Sequence, residues 1–428
     1  MSFKQGLLYF IGQLGVISLT RFIFVHYVQY AAVSDPYQGS GTDNLIIPLV
    51  SAGIAGGIMF SFRLFDAVTD PIAANLTDSW LAKGRSRQSF LLLVMVGAPL
   101  GLCLTFYPNF DMDMWLRYTC IALGLFLFFV GYTLYGIPYW SMMDDMAGED
   151  ENARKTLSNI LGAGIMVSTG VCFALTPLLI EEFGFFWGAV ALSFPCLIMM
   201  YLGARVKTQK TSQNNENQNV PFMEALKAAF QNKKFIVLIG VFLVSQMSLT
   251  IISASSYFLA TELLSLGSGG VAFLMVPVIG TACISFTVIP TISKKLGWEK
   301  TIIWSAILLG IVYIGAAFFG KVYIGSPKMS ALANLILAGP MIAALIGLEG
   351  VAITESAREQ GASVSLYFGV YNLMVKGGNG LAILIVGILT ERFISTQDTL
   401  YIRLMPIFGG TFLLVGILIY LWVHRKKT

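Results

Sequence analysis

The sequence predicts an all-α membrane protein of twelve transmembrane helices in two six-helix halves, with both termini cytoplasmic. Three observations carry that expectation. Of the 428 residues, 56% are hydrophobic and only 12% are charged, where a soluble domain carries about 25% charged residues. Apolar runs long enough to cross a ~30 Å hydrocarbon core recur along the whole chain. One polar stretch, TQKTSQNNENQNV from Thr208 to Val220, divides the runs into two sets of six.

The first set runs Gly6–Val33, Leu45–Ala73, Ser89–Tyr107, Trp115–Ser141, Leu157–Ile180 and Phe185–Tyr201. No A-x-A-like site follows the first run, so it is expected to be a retained span and not a signal peptide. The polar divider has no apolar face and reads as a flexible linker. After it, Phe222, Met223, Leu226 and Phe230 place an amphipathic segment over Pro221–Lys234, expected to lie on the membrane surface. The second set runs Phe235–Ala260, Val271–Ile292, Ile302–Phe319, Leu332–Ala352, Ser363–Leu389 and Ile402–Val423. The organisation is therefore 1–204, a linker over 205–234, and 235–428.

Orientation follows from the basic residues, which concentrate in cytoplasmic loops. Breaks after even-numbered runs carry Lys83, Arg85 and Arg87, then Arg154 and Lys155, then Arg205, Lys207 and Lys210. Lys294, Lys295, Lys300 and Arg358 continue the pattern, and Arg425, Lys426 and Lys427 close the chain. The opposite breaks are acidic or mixed: Asp35, Asp43, Asp111, Asp113, Glu181 and Glu182, then Lys321 and Lys328.

The composition excludes several classes. A net charge of +4, with no basic cluster interleaved with aromatics, does not suit nucleic acid. The five cysteines (Cys103, Cys120, Cys172, Cys196, Cys283) lie in apolar runs without a C-x-x-C pair, so neither a disulfide framework nor a zinc site is expected. No phosphate-binding G-x-x-x-x-G-K-[ST] loop occurs, which argues against an ATP-driven pump.

Charges inside spans cost about 2.5–3.5 kcal/mol each on insertion scales and mark function. Arg63, Asp66 and Asp70 stand at i, i+3 and i+7 in the second run, on one face of a helix. Two such carboxylates repel unless a cation or proton sits between them, so Asp66 and Asp70 are candidates for a Na⁺ or H⁺ site. A structural pair neutralised by Arg63 is the other reading. Pro71 follows and frees a backbone carbonyl as a further ligand. Lys376, mid-span in YNLMVKGGNGLA, either needs an anionic partner, for which Asp66 or Asp70 is the economical choice, or snorkels to an interface. Arg21 and His26 sit in the first span, facing a cavity or paired structurally. Glu349 and Glu355, at the cytoplasmic end of the tenth span near Arg358, suit a solvated face better than gating salt bridges. Tyr132, Tyr135, Tyr139, Tyr367 and Tyr371 suit either a cavity lining or interface anchors.

RLFDAVTDPIAANLTD (Arg63–Asp78) resembles the second-helix signature of the glycoside–pentoside–hexuronide:cation symporters, the melibiose-permease branch of the major facilitator superfamily. GRSR (Gly84–Arg87), YTLYGIPYWSMM (Tyr132–Met143) and MVKGGNGLA (Met374–Ala382) resemble that family's first cytoplasmic turn, fourth-helix motif and eleventh-helix lysine motif. The resemblance implies that Asp66 and Asp70 bind the coupling cation with Thr133 as a neutral oxygen ligand. It also implies that Lys376 interacts with that site and that Trp140 lines the substrate cavity. It departs at Gly136, where the sugar permeases often carry an acid, at Leu161, where they carry an arginine, and around Gln13 and Leu14, where a first-span acid is missing. A site lacking those groups discriminates weakly in favour of a polyhydroxylated ligand.

The expected function is a cation-coupled symporter of a small organic solute, a sugar or glycoside by resemblance, working by alternating access. Its partners are the solute, a coupling Na⁺ or H⁺ and the lipid bilayer. No cofactor and no enzymatic activity are expected, and a monomer in the cell (inner) membrane is. A lysophospholipid-like amphiphile is the alternative substrate. A Mg²⁺-dependent prenyltransferase, suggested by the D-x-x-x-D spacing, is the rival from another class, and a passive channel is a third.

Overall fold

The computed structural model describes residues 3–32, 48–148, 150–206, 233–267, 269–359 and 364–425, and among them there are helices and no strand. The chain divides into two units, Met1–Asn215 and Glu216–Thr428, a division that falls inside the polar stretch. The amphipathic segment expected over Pro221–Lys234 lies outside the described residues except at its last two positions.

The first unit contains α1 (Phe3–Ala32), α2 (Ala52–Ala82), α3 (Arg87–Val94), α4 (Gly97–Thr105), α5 (Met114–Ala147) and α6 (Glu151–Ala204). Helix α2 begins at Ser51, whose side chain accepts from the Ile54 N–H, closing one of the donors that every helix start leaves open. It runs nine residues past Ala73, where the apolar pattern ends, because Asn75, Thr77 and Asp78 break the hydropathy but not the helix. The third crossing is two helices. Pro99 lacks an N–H and its ring crowds the carbonyl four residues back, at Met95, and the helix breaks at Met95–Val96.

Helix α6 carries two crossings. Gly184, at φ 75° and ψ 174°, holds a conformation essentially reserved for glycine, and it reverses the chain between 156–183 and 185–204. Eleven helices are long and apolar enough to cross a membrane among the described residues. With α6 counted as two, they supply the twelve crossings expected.

The second unit contains α7 (Lys233–Phe258), which ends in a π-turn at Leu259–Leu263, then α8 (Gly270–Leu296), α9 (Trp298–Ala316), α10 (Pro327–Glu359), α11 (Val364–Thr396) and α12 (Leu400–Arg425). Ser326 accepts from the Met329 N–H at 3.2 Å, and Pro327 supplies the first helical residue, where its missing N–H costs nothing.

Without water to exclude, spans associate by close packing of small residues. A Cβ on Gly12 of α1 would stand 2.7 Å from the Gly203 Cα of α6, so the backbones touch there. Gly310 of α9 and Gly410 of α12 meet in the same way in the second unit. Tyrosine hydroxyls then lock the first bundle. Tyr27 donates to the Ala55 carbonyl at 2.8 Å and Tyr135 to the Met200 carbonyl at 2.6 Å. Tyr139 and Tyr9 donate to each other's backbone carbonyls. Tyr135 and Tyr139 are fully buried, so they hold α5 to α1 and α6 and line no open space.

Candidate functional site

The site grows from the register of α2. At 3.6 residues per turn, Arg63, Asp66 and Asp70 fall within about 60° of arc. The exposed Leu64, Phe65, Val68, Ile72 and Leu76 occupy the opposite side. Lipid-facing residues and acids are thus separated on the two faces of one helix.

Asp66 is completely buried, and its two oxygens have different partners. Oδ2 receives the Arg63 Nη1 at 2.6 Å, and Oδ1 receives the hydroxyl of Thr133 on α5. The Arg63 guanidinium lies between the rings of Phe24 from α1 and Phe129 from α5, at 5.1 and 5.2 Å. Phenyl faces attract a cation in a dry setting, so the arginine is held in place from three helices. Asp70, one turn on, is half-buried on the same face. Arg63 is thus the counter-charge already in contact with Asp66. Pro71 does not end the helix, and by its missing N–H it leaves the carbonyl of the buried Ala67 free of its usual bond.

Trp140 shows how a small residue shapes the neighbouring surface. Its indole Nε1 donates to Gln13 Oε1 at 2.9 Å, and its ring meets Tyr132 edge to face at 5.9 Å. A Cβ on Gly136 would lie 3.0 Å from the edge of that indole. Gly136, where an acid was noted as missing, is the floor on which the Trp140 ring rests. Gln13, in the stretch where no first-span acid has a clear counterpart, is what orients the ring.

In the second unit, Lys376 is half-buried on α11. The glycines after it bring α11 onto α7: a Cβ on Gly378 would stand 3.0 Å from the Met247 side chain, and Asn379 Oδ1 accepts from Thr250 at 3.0 Å. Tyr367 is buried with its ring centroid 3.9 Å from that of Phe235. Tyr371 is buried beside Glu349. Glu349, expected on a solvated face, instead accepts from Gln246 of α7 at 3.0 Å. It stands about 160° around α10 from the centre of the exposed Leu337, Gly347 and Val351.

Two polar pairs escaped sequence reasoning. Arg87 of GRSR donates from Nε to Asp145 at 2.9 Å, tying α3 to α5. The available signal was the Asp144–Asp145 doublet ending the fourth run opposite a basic turn. The Gln246–Glu349 pair carries no local signal, because its members are 103 residues apart.

Among the described residues no group of three or more His, Cys, Asp or Glu side chains could hold a metal ion. The donors at α2 are instead a carboxylate oxygen and a hydroxyl, with a second carboxylate one turn away. Such hard oxygen ligands suit a proton or a monovalent cation better than a transition metal.

Similarity to known proteins extends along most of the chain. A family model described as "MFS/sugar transport protein" matches residues 42–398. "Putative glycoside/cation symporter YagG" of Escherichia coli (strain K12) is 27% identical over 161 residues, covering 36% of this chain and 34% of that protein. "Uncharacterized symporter YjmB" of Bacillus subtilis (strain 168) is 24% identical over 274 residues, 59% of this chain and 56% of that one. The chain thus spans between a third and just over half of the length of these relatives. Among solved structures, the nucleoside transporter NupG superposes with a TM-score of 0.66 at 14% identity, covering 99% of this chain and 98% of that one. The D-xylose-proton symporter gives 0.68 at 11% identity, covering 97% of both chains. These likenesses establish the fold.

Proposed function

Because the chain belongs to the MFS/sugar transport protein family, a family of transporters and not of enzymes, we propose that it is a cation-coupled symporter that moves a small organic solute across the membrane by alternating access. The carrying observation is the divided Asp66 carboxylate. Arg63 neutralises one oxygen, and the other faces a hydroxyl from a different helix.

A cation or proton arriving at Oδ1 replaces the hydrogen that Thr133 donates, turns that hydroxyl into a ligand, and draws in Asp70 from one turn away. The Na⁺ or proton is then co-substrate, carried with the solute and released. Binding changes the net charge of the α2 face that carries Arg63, Asp66 and Asp70. A ligand shifts an equilibrium between two states only through its different affinity for each, and this change of charge supplies that difference. The solute sits against Trp140, whose indole is held beside Tyr132 and Gln13 of the first unit. Both termini lie on the cytoplasmic side, as the basic breaks require.

The test is uptake in proteoliposomes holding the full-length protein, against a mixed solute panel, under imposed Na⁺ or proton gradients. Gradient-driven accumulation that disappears in Asp66→Asn while the protein still inserts supports the reading. Accumulation by Asp66→Asn and Lys376→Ala at the wild-type level overturns it.

A further inference from the structure

The connection between α9 and α10 departs from the charge pattern of the chain. On the orientation proposed above it faces away from the cytoplasm, where lysine is disfavoured. It nevertheless carries Lys321 and Lys328 and, from Ala317 to Ala331, no acid. The other breaks on that side contain acids. The same connection closes over a cavity of about 150 Å³, lined by Phe318, Phe319, Lys321, Tyr323, Ser330 and Asn334 among others.

The walls of the cavity are fixed by hydrogen bonds. The Ser330 hydroxyl oxygen, buried at the start of α10, accepts from the backbone N–H groups of Tyr323 and Ile324 at 2.8 and 2.9 Å. Asn334, one turn on, donates to the Val312 carbonyl of α9 at 3.0 Å. Behind the segment, Arg403 of α12 donates to the carbonyls of Ala317 and Phe319 at 2.5 and 3.1 Å. Lys321 brings a second positive charge, its Nζ 5.5 Å from the centre of the Phe318 ring. Neither cation is in an ion pair among the described residues, where the two pairs are Arg63–Asp66 and Arg87–Asp145. The Lys321 ammonium and the Tyr323 phenol, on the exposed side, are donors suited to an anionic oxygen.

The surroundings decide what carries that oxygen. Phe318, Val322, Tyr323, Ile324 and Met329 are all exposed, a collar of apolar side chains around a positive cavity. A small soluble anion gains nothing from such a collar, whereas acyl chains do. A cavity near 150 Å³ holds a group of about benzene's size, the scale of a phosphate with its adjoining glycerol carbons. A zwitterionic headgroup would set its own cation beside Lys321 and Arg403, where no acid receives it.

We propose that this cavity binds the headgroup phosphate of an anionic phospholipid from the leaflet away from the cytoplasm, with Lys321 and Tyr323 as its ligands. The lipid then pins the α9–α10 connection to the membrane surface.

The experiment follows the unfolding temperature of the full-length protein in a non-ionic detergent. The probes are dioleoyl phosphatidylglycerol, dioleoyl phosphatidylcholine and glycerol 3-phosphate. Stabilisation is expected from phosphatidylglycerol and not from the other two. Lys321→Gln should raise the half-saturating phosphatidylglycerol by about fivefold, the effect of one basic residue at an anionic surface. Lys321→Arg should keep most of the affinity. Lys328→Gln removes the same charge outside the cavity lining and should cost about twofold or less. Should Lys321→Gln unfold early without lipid, Tyr323→Phe reads the same site, and weaker phosphatidylglycerol binding is expected there too. Equal stabilisation by phosphatidylcholine overturns the proposal, as does equal loss in Lys321→Gln and Lys328→Gln, which marks a diffuse surface attraction. Lys321-dependent stabilisation by glycerol 3-phosphate equal to that by phosphatidylglycerol also overturns it, because the occupant is then a soluble phosphate.

Discussion

Thr133 donates its hydroxyl to the one oxygen of Asp66 that Arg63 leaves open. The two residues come from helices 67 positions apart in sequence, so the pair reports the packing of α2 on α5 as well as the state of the carboxylate.

Thr133→Val keeps the volume and removes that donor. A hydrogen bond to a charged group contributes about 1.5–3 kcal/mol. If the hydroxyl is also a cation ligand, the half-saturating cation concentration for uptake should rise by about tenfold, since ~1.4 kcal/mol is a factor of ten. Uptake measured against Na⁺ and against proton concentration checks this, and an unchanged half-saturation removes Thr133 from the site.

Arg87 and Asp145 make a largely buried pair at 2.9 Å. Removing one partner of a buried pair costs about 3–5 kcal/mol, because a charge is left uncompensated. Arg87→Ala and Asp145→Ala should each lower the unfolding temperature. The double variant should lose clearly less than the sum, and strict additivity would show that the two side chains do not support each other.

Gly12 has no room for a side chain against Gly203, whereas Gly57 on α2 has open space within 4 Å. Overpacking costs about 1–3 kcal/mol. Gly12→Ala should therefore destabilise, while Gly57→Ala should be neutral or gain about 0.4–1 kcal/mol from reduced freedom of the unfolded chain. Thermal unfolding of both variants in one detergent gives the comparison.

Gly136→Ala drives a methyl group toward the indole edge of Trp140. The ring is the far end of a side chain and can swing, so the expected result is displacement of the indole from Gln13 with little loss of stability. A shift in tryptophan fluorescence together with weakened solute affinity would match. Unchanged affinity would place Trp140 outside the solute's path.

Gln246 supplies the amide donor to Glu349. Gln246→Leu should cost about 1–3 kcal/mol by leaving the carboxylate short of a donor. Adding Glu349→Leu should recover most of that loss, since the group that needed the donor is gone. Losses that simply add would mean that Glu349 draws its stabilisation from elsewhere.

The Arg63–Asp66–Asp70 face was legible because helical spacing alone assigns a face, and the exposed Val68 and Ile72 lie on the opposite, apolar side. The twelve crossings were legible for the same reason, apolar length. Pro99's break and the reach of α2 to Ala82 were harder to read, because hydropathy tracks the solvent around a helix and not its backbone bonds. Tyr135 and Tyr139 show the limit most clearly. A tyrosine in a span reads the same whether its hydroxyl meets water or a backbone carbonyl, and here both meet carbonyls. Arg21 was visible as a charge in a span; that every other residue from Gly15 to Ala32 is enclosed was not. Sequence spacing alone does not supply that enclosure.

At Gly184 the fifth and sixth crossings join with no loop between them. A join of one residue has no slack, so a push on either segment passes to the other as through a folded rod. Insertion of an epitope tag or protease site there would have to pry the two segments apart before it could be tolerated. The hairpin is held by the backbone conformation of one residue, and any residue with a side chain would be strained in it.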